Sequence, residues 1–157
     1  MSTLTPEHLR PLSPDEESFM RALARALITL PRAIDQEMVR QHQLPLIEYQ
    51  TLMHLSEAPS RRLRMSALAE TVDMSLSGMT RIVTRLEGQG LVQRVKCPDD
   101  GRGWNAVLTD AGLARLKEAW PAHLTAVRRR LFDHLQGLDL RECTRVLERV
   151  NASCAPR

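Results

Sequence analysis

Aromatic side chains are scarce in this chain. Two Trp, one Tyr and two Phe make up 3% of its 157 residues, so a core must rely on aliphatic side chains and methionine, which a hydrophobic content of 43% supplies. Cysteine is equally sparse. Cys97, Cys143 and Cys154 are odd in number and far apart, which argues against a disulfide framework. No apolar run approaches the roughly 20 residues of a membrane span, and no basic-then-apolar leader opens the chain. The expected location is therefore cytoplasmic, with no membrane partner. Enzyme signatures are missing too: there is no nucleophile elbow, no phosphate-cradling glycine loop and no paired-acid pattern. The five histidines (His8, His42, His54, His123, His134) show no H-x-x-E-H, H-E-x-x-H or C-x-x-C spacing. No cofactor and no metal site is expected.

What is present is unevenly placed. The net charge is only +3, yet residues 60–104 hold eight basic residues against five acids, while the rest of the chain balances at fourteen against fourteen. That local excess is the electrostatic footprint of phosphate contact, with a solvated charged face as the competing reading. Length suits one domain, or one compact domain with helical arms.

The excess surrounds one stretch, Met65 to Gly90, which contains two short helical patterns separated by a break. Leu68, Ala69 and Val72 mark the first, with Ser66 as the expected N-cap. Ser75 caps the second, in which Met79, Ile82, Val83 and Leu86 form one apolar stripe. The opposite face carries Ser77, Thr80, Arg81, Thr84 and Arg85, with no acid until Glu87. Short hydroxyls and arginine on an exposed helix face suit the DNA major groove, where a carboxylate would repel the backbone. Gly78 has two readings: tolerance in a first helical turn, or close approach of backbone to DNA.

After Gly88-Gln89-Gly90 the pattern changes from helix to strand. Leu91 to Cys97 and Trp104 to Thr109 flank a polar, turn-rich tip, Pro98 to Gly103. Two helices followed by a hairpin with an arginine at its tip make a winged helix.

These pieces resemble the MarR family of bacterial transcription regulators. The resemblance is carried by SALAETVDMSLSGMTRIVTRLEGQGLVQR, then PDDGRG, then AVLTDAG, over roughly Ser66 to Gly112. The S-x-S-x-x-T-R-x-V-x-R-L-E recognition helix, the G-L-V-x-R entry to the wing and the L-T-x-A-G exit all match. What it implies is a homodimer on a palindromic operator in double-stranded DNA, acting most often as a repressor relieved by a small molecule. It also implies an acid-x-Arg pair at the wing tip, matched by Asp100 and Arg102, although Asp99 leaves the pairing acid open. The arginine of such a pair enters the minor groove, where weak hydration of guanidinium and strong negative potential favour it. The DNA-binding set is thus Ser66, Ser75, Ser77, Gly78, Thr80, Arg81, Thr84, Arg85, Asp100 and Arg102. Aromatic acids or phenols are the family's usual effectors, held between the dimer helices and the reading domain. By position, Met38, His42, Tyr49, Met53 and the segment Leu108 to Leu116 would line that crevice here, though Met and Leu at helical spacing equally make plain core. Zinc-sensing relatives would direct attention to His42 or His123. Peroxide-sensing relatives use a cysteine in the first helix, which this chain lacks. Cys97, beside Lys96, is either a weakly activated thiol or a passive strand residue.

The flanks are helical. Phe19, Leu23, Leu27, Leu30, Ile34 and Met38 step by 4, 4, 3, 4, 4 through a long helix, Asp15 to Gln43, which Pro31 should bend or break. After Leu44-Pro45 a second helix runs to about Glu57, with Leu46, Tyr49, Leu52 and Met53 inward, and Arg61 to Arg64 can add a strand to the wing sheet. Beyond the wing, Thr109 caps a helix with the stripe Leu113, Leu116, Trp120, Leu124, Val127, Leu131 and Leu135, which Pro121 should bend. Asp139 caps a last helix with Leu140, Cys143, Leu147 and Val150 inward. A single winged unit cannot bury so many stripes, whereas a symmetry mate can. The expected fold is mainly α with a small β wing: an arm over residues 1–44, a winged helix-turn-helix over 45–109 and dimerisation helices over 110–157. A winged-helix module that binds protein, with a basic face that reads nothing, is the rival.

Overall fold

The computed structural model describes residues 10–97 and 103–154. Its first helix, α1 (Pro14–His42), opens on a reciprocal cap: Ser13 Oγ accepts the Glu16 N–H at 3.2 Å, and the Glu16 carboxylate accepts the Ser13 N–H at 2.7 Å. It closes at Gln43, which turns left-handed at φ 50°. The break expected at Pro31 does not occur. Pro31 deprives one carbonyl, that of Leu27, of its donor, while the cap on one side and burial of Ile34 and Met38 on the other hold both flanks. α2 (Leu46–Glu57) has no cap of its own; Asp35 on α1 accepts the Leu46 N–H at 2.8 Å. Tyr49, Leu52 and Leu55 enter the core, with Leu46 and Met53 packed partly against it.

The short strand β1 (Arg62–Arg64) leads into α3 (Met65–Thr71) and α4 (Leu76–Gly88). Ser66 is not the N-cap of α3. The helix begins two residues earlier than expected, with Arg64 at the cap position and no side-chain cap bond, because β1 delivers the chain directly into the first turn. Ser75 does cap α4, accepting the Gly78 N–H at 3.1 Å. β2 (Val92–Lys96) and β3 (Trp104–Leu108) pair antiparallel, and β1 joins the far edge of β3, giving the order β1-β3-β2.

Thr109 ties the sheet to α5 (Asp110–Arg130): its Oγ1 donates to the Gly90 carbonyl at 2.7 Å and accepts the Gly112 N–H at 3.0 Å. At Gly112 the backbone of α5 meets the end of α4's loop so closely that an added Cβ would lie 2.1 Å from the Leu91 carbonyl oxygen. α5 runs through Pro121 unbroken but ends at Arg130, short of Leu135. Leu131 leaves the helical region at φ −128°, and a single turn, Phe132–His134, follows. α6 (Leu140–Cys154) is capped by Asp139, whose Oδ1 accepts the Arg141 N–H at 2.9 Å.

The core lies between α1, α2, α5 and the helix-turn-helix. α5 enters it through small residues, Gly112, Ala119, Ala122 and Ala126, together with Leu116, so the helices approach closely. Leu113 and Val127 of its stripe pack partly against the core, whereas Trp120 and Leu124 point elsewhere, 56% and 38% exposed. Phe19, Met20, Leu27 and Ile28 on α1 are likewise exposed, and no residue of α6 is buried. α1 and α5 are joined by buried Glu37, which pairs with Arg129, and by Arg115, which donates to the His42 carbonyl.

Candidate nucleic-acid interface

α4 is fixed from behind. Met79, Val83 and Leu86 are fully buried, with Ile82 packed partly against the core, so the helix has one permitted rotation about its axis. That rotation leaves Ser77, Arg81, Thr84 and Arg85 exposed on one face. The hydroxyls of Ser75 and Ser77 lie 3.2 Å apart at its N-terminus. Thr80 is half-buried and its hydroxyl donates to the Leu76 carbonyl at 2.8 Å, so it is engaged within the helix. Gly78 is half-buried as well. A Cβ there would meet Met74 Cγ at 2.9 Å, so the missing side chain makes room for Met74.

The basic residues separate into paired and unpaired. Arg94 of β2 is clasped by Glu87 at the end of α4, which accepts its backbone N–H at 3.0 Å, its Nε at 2.8 Å and its Nη2 at 2.7 Å. The backbone N–H, then the guanidinium, holds the Glu87 carboxyl below its usual range. This clasp fixes the wing to the helix. Arg61 pairs with Asp110 at 2.8 Å, and Lys96 stands 5.9 Å above the Trp104 ring. Arg85 forms an ion pair through Nε with the buried Glu48 of α2, whose Oε1 accepts no hydrogen bond among the described residues. Arg62 and Arg81 have no side-chain partner among the described residues. Between α3, α4 and the wing lies a cleft of about 440 Å³ lined in part by Ser66, Leu76, Thr80 and Trp104. Asp100 and Arg102, expected at the wing tip, lie outside the described residues.

Residues 42–103 match the sequence model of the MarR family. Over the whole chain, the structure is similar to Sco3205 of Streptomyces coelicolor, a MarR family transcriptional regulator crystallised in complex with DNA: 34% identity, 94% of this chain and 93% of that one, and a TM-score of 0.87. The chain belongs to the MarR family. A second S. coelicolor member, AbsC, is 32% identical over 92% of this chain and 97% of that one, with a TM-score of 0.84. A mutant of E. coli MarR complexed with operator DNA shares the fold at 18% identity, 90% and 99% coverage and a TM-score of 0.73. No match was found among curated proteins.

As a MarR-family transcription regulator the protein binds DNA and is not an enzyme. The four residues expected to line an effector crevice are not alike. Met38 and Tyr49 are fully buried, while His42 and Met53 are half-buried. The Tyr49 ring is stacked on His123 of α5 at 4.3 Å between centroids. Burial lowers the His123 pKa, and burial followed by the charge of Glu57 raises that of Tyr49. Among the described residues no three His, Cys, Asp or Glu side chains converge to hold a metal, and no helix is long and apolar enough to cross a membrane. Cys97, Cys143 and Cys154 are all free thiols. The sequence reading missed Glu48. Its signal was the shared face of Glu48, Leu52 and Leu55 on α2, an acid where an apolar residue belongs.

Proposed function

We propose that the protein is a homodimeric repressor that binds a palindromic operator and releases it when a small aromatic or phenolic molecule binds. The observation that carries the DNA reading is α4: a helix locked by its apolar face, presenting Ser77, Arg81, Thr84 and Arg85 outward with no unpaired acid among them. A relative of 34% identity has been crystallised in complex with DNA, which supports the same role here. On this reading α4 enters the major groove, Ser66, Ser75, Gly78 and Thr80 approach the backbone, and Arg102, paired with Asp100 or Asp99, enters the minor groove.

Dimerisation is the reading that best accounts for the apolar faces. Phe19, Leu27 and Ile28 on α1, Trp120 and Leu124 on α5 and Leu147 and Val150 on α6 remain exposed in the single chain, at its two sequence ends. Burying such faces against a second copy removes them from water and sets two α4 helices on one two-fold site. In this scheme residues 1–44 and 110–157 are arms and 45–109 is the reading unit. The effector would act where α2 meets α5, near Met38, His42, Tyr49 and Met53. The test is direct: the purified protein is titrated with its own upstream DNA and with scrambled DNA at near-physiological salt. Clear preference for the upstream DNA is expected; equal binding to both would favour a protein-interaction module.

A further inference from the structure

Glu48 occupies a position that an apolar side chain would fill. It shares the inner face of α2 with Leu52 and Leu55, and its side chain is 3% exposed, yet it is charged and paired with Arg85 on α4. A buried carboxylate is a poor device for merely joining two helices. Withdrawing charge from water is costly, and well-packed apolar residues of similar volume commonly join helices as well or better.

The pair is asymmetric. Arg85 forms its ion pair with Glu48 Oε1 through Nε, an oxygen that accepts no hydrogen bond among the described residues, while its side chain is 55% exposed and Nη1 and Nη2 have no partner among them. One edge of the guanidinium is therefore held from inside the protein and the other edge faces out. An ion pair made through Nε draws that edge inward and leaves the Nη1–Nη2 edge, the one that can give two parallel N–H bonds to a base edge, turned outward before any ligand arrives. Preordering also removes rotamer freedom that would otherwise be lost on binding. Arg81, one turn earlier, has no such anchor among the described residues.

We infer that Glu48 is a positioning residue for DNA recognition: it orients Arg85 so that Nη1 and Nη2 make a bidentate contact with a single base edge in the major groove. The inference rests on the reading of α4 as the DNA-facing helix. A residue of α2 that never touches DNA then sets the preference at one base pair of each half-site.

The test uses an operator duplex selected from a randomised pool by the full-length wild-type protein, and duplexes with each base pair changed in turn. Three variants are compared: Glu48→Gln, which keeps shape and an acceptor oxygen but loses the charge, Arg85→Ala, and the two combined. Arg85→Ala identifies the base pair it reads. Glu48→Gln is expected to lower preference at that pair about tenfold, leave the other positions unchanged and add nothing to Arg85→Ala. Arg85→Lys, a change at an exposed side chain that leaves the fold intact, keeps the charge but lacks the Nε edge. It should lose the same preference while keeping the salt dependence of binding. A folded Glu48→Gln with full discrimination overturns the inference, as does an equal further loss when it is combined with Arg85→Ala, or full discrimination by Arg85→Lys. Arg85→Ala retaining every base preference would instead sink the α4 reading at that residue.

Discussion

Tyr49 of α2 and His123 of α5 stack with their planes inclined by 23°, one ring from each helix. Burial keeps the imidazole neutral by lowering its pKa below 6.5. The unfolded chain therefore binds the proton more readily than the folded one. Stability from this site is complete above the unfolded value and is lost as pH falls from about 6.5 toward the lowered folded value. Thermal midpoints of wild type and His123→Phe between pH 5 and 8 should diverge, with the variant flatter on the acid side. Parallel curves would show that His123 titrates elsewhere.

The Glu87–Arg94 clasp predicts a second acid effect. With the Glu87 carboxyl held low by the Arg94 N–H, its contribution is present above 4.5 and fades as pH falls through the lowered folded value. Glu87→Gln should cost about 1 kcal/mol at neutral pH and lessen the loss on acidification. Hydrogen exchange at the β2 amides should quicken in the variant. Unchanged exchange would mean that strand pairing alone holds the wing.

Two glycines should respond oppositely. Gly112→Ala places a methyl 2.1 Å from the Leu91 carbonyl oxygen, a backbone atom that cannot swing aside, and should cost about 3 kcal/mol or prevent folding. Gly88→Ala, at the last residue of α4 with nothing within 4 Å, should stabilise by about 0.5–1 kcal/mol. Urea midpoints decide both, and a neutral Gly112→Ala would contradict the close approach.

On the proposed DNA reading, the two arginine-bearing elements are separable. Arg81→Ala should lose about 1 to 3 kcal/mol and relax preference at particular base pairs. Arg102→Ala should weaken binding to many sequences and flatten the salt dependence by about one unit of slope per site contacted. Titrations across a salt series, with matched and mutated sites, measure both. Full affinity and discrimination in Arg81→Ala would remove α4 from the role of reader.

For the proposed dimer, Leu27→Glu on α1 and Leu147→Glu on α6 alter side chains exposed in the single chain, at 67% and 55%. Each should leave the monomer folded but shift sedimentation at micromolar concentration from dimer to monomer, with weaker operator binding. A monomeric wild type, or unchanged dimers in both variants, would place the interface elsewhere.

Local rules sufficed for much of this protein. Ser75 and Thr109 cap their helices because a hydroxyl before a helix meets a free N–H whatever surrounds it. The stripe Met79, Val83, Leu86 fixed which face of α4 would point out, and the wing hairpin and the β1 strand followed from strand and turn composition. Periodicity alone cannot say which of two apolar faces meets which partner. α5 packs inward through alanines and turns Trp120 outward, and that choice belongs to the neighbouring helices. Ser66 lost its capping role to the strand that leads straight into the helix, and a break at Pro31 was prevented by helix held on both sides. Pairings across long separations were equally hidden. Glu48 with Arg85 and Glu87 with Arg94 draw on folded distance, so a count of basic residues along the chain could not tell an arginine engaged from within from one left facing solvent. That distinction exists only once α2, α4 and the wing have been brought together, because the energy of a charge depends on what lies within a few ångströms of it.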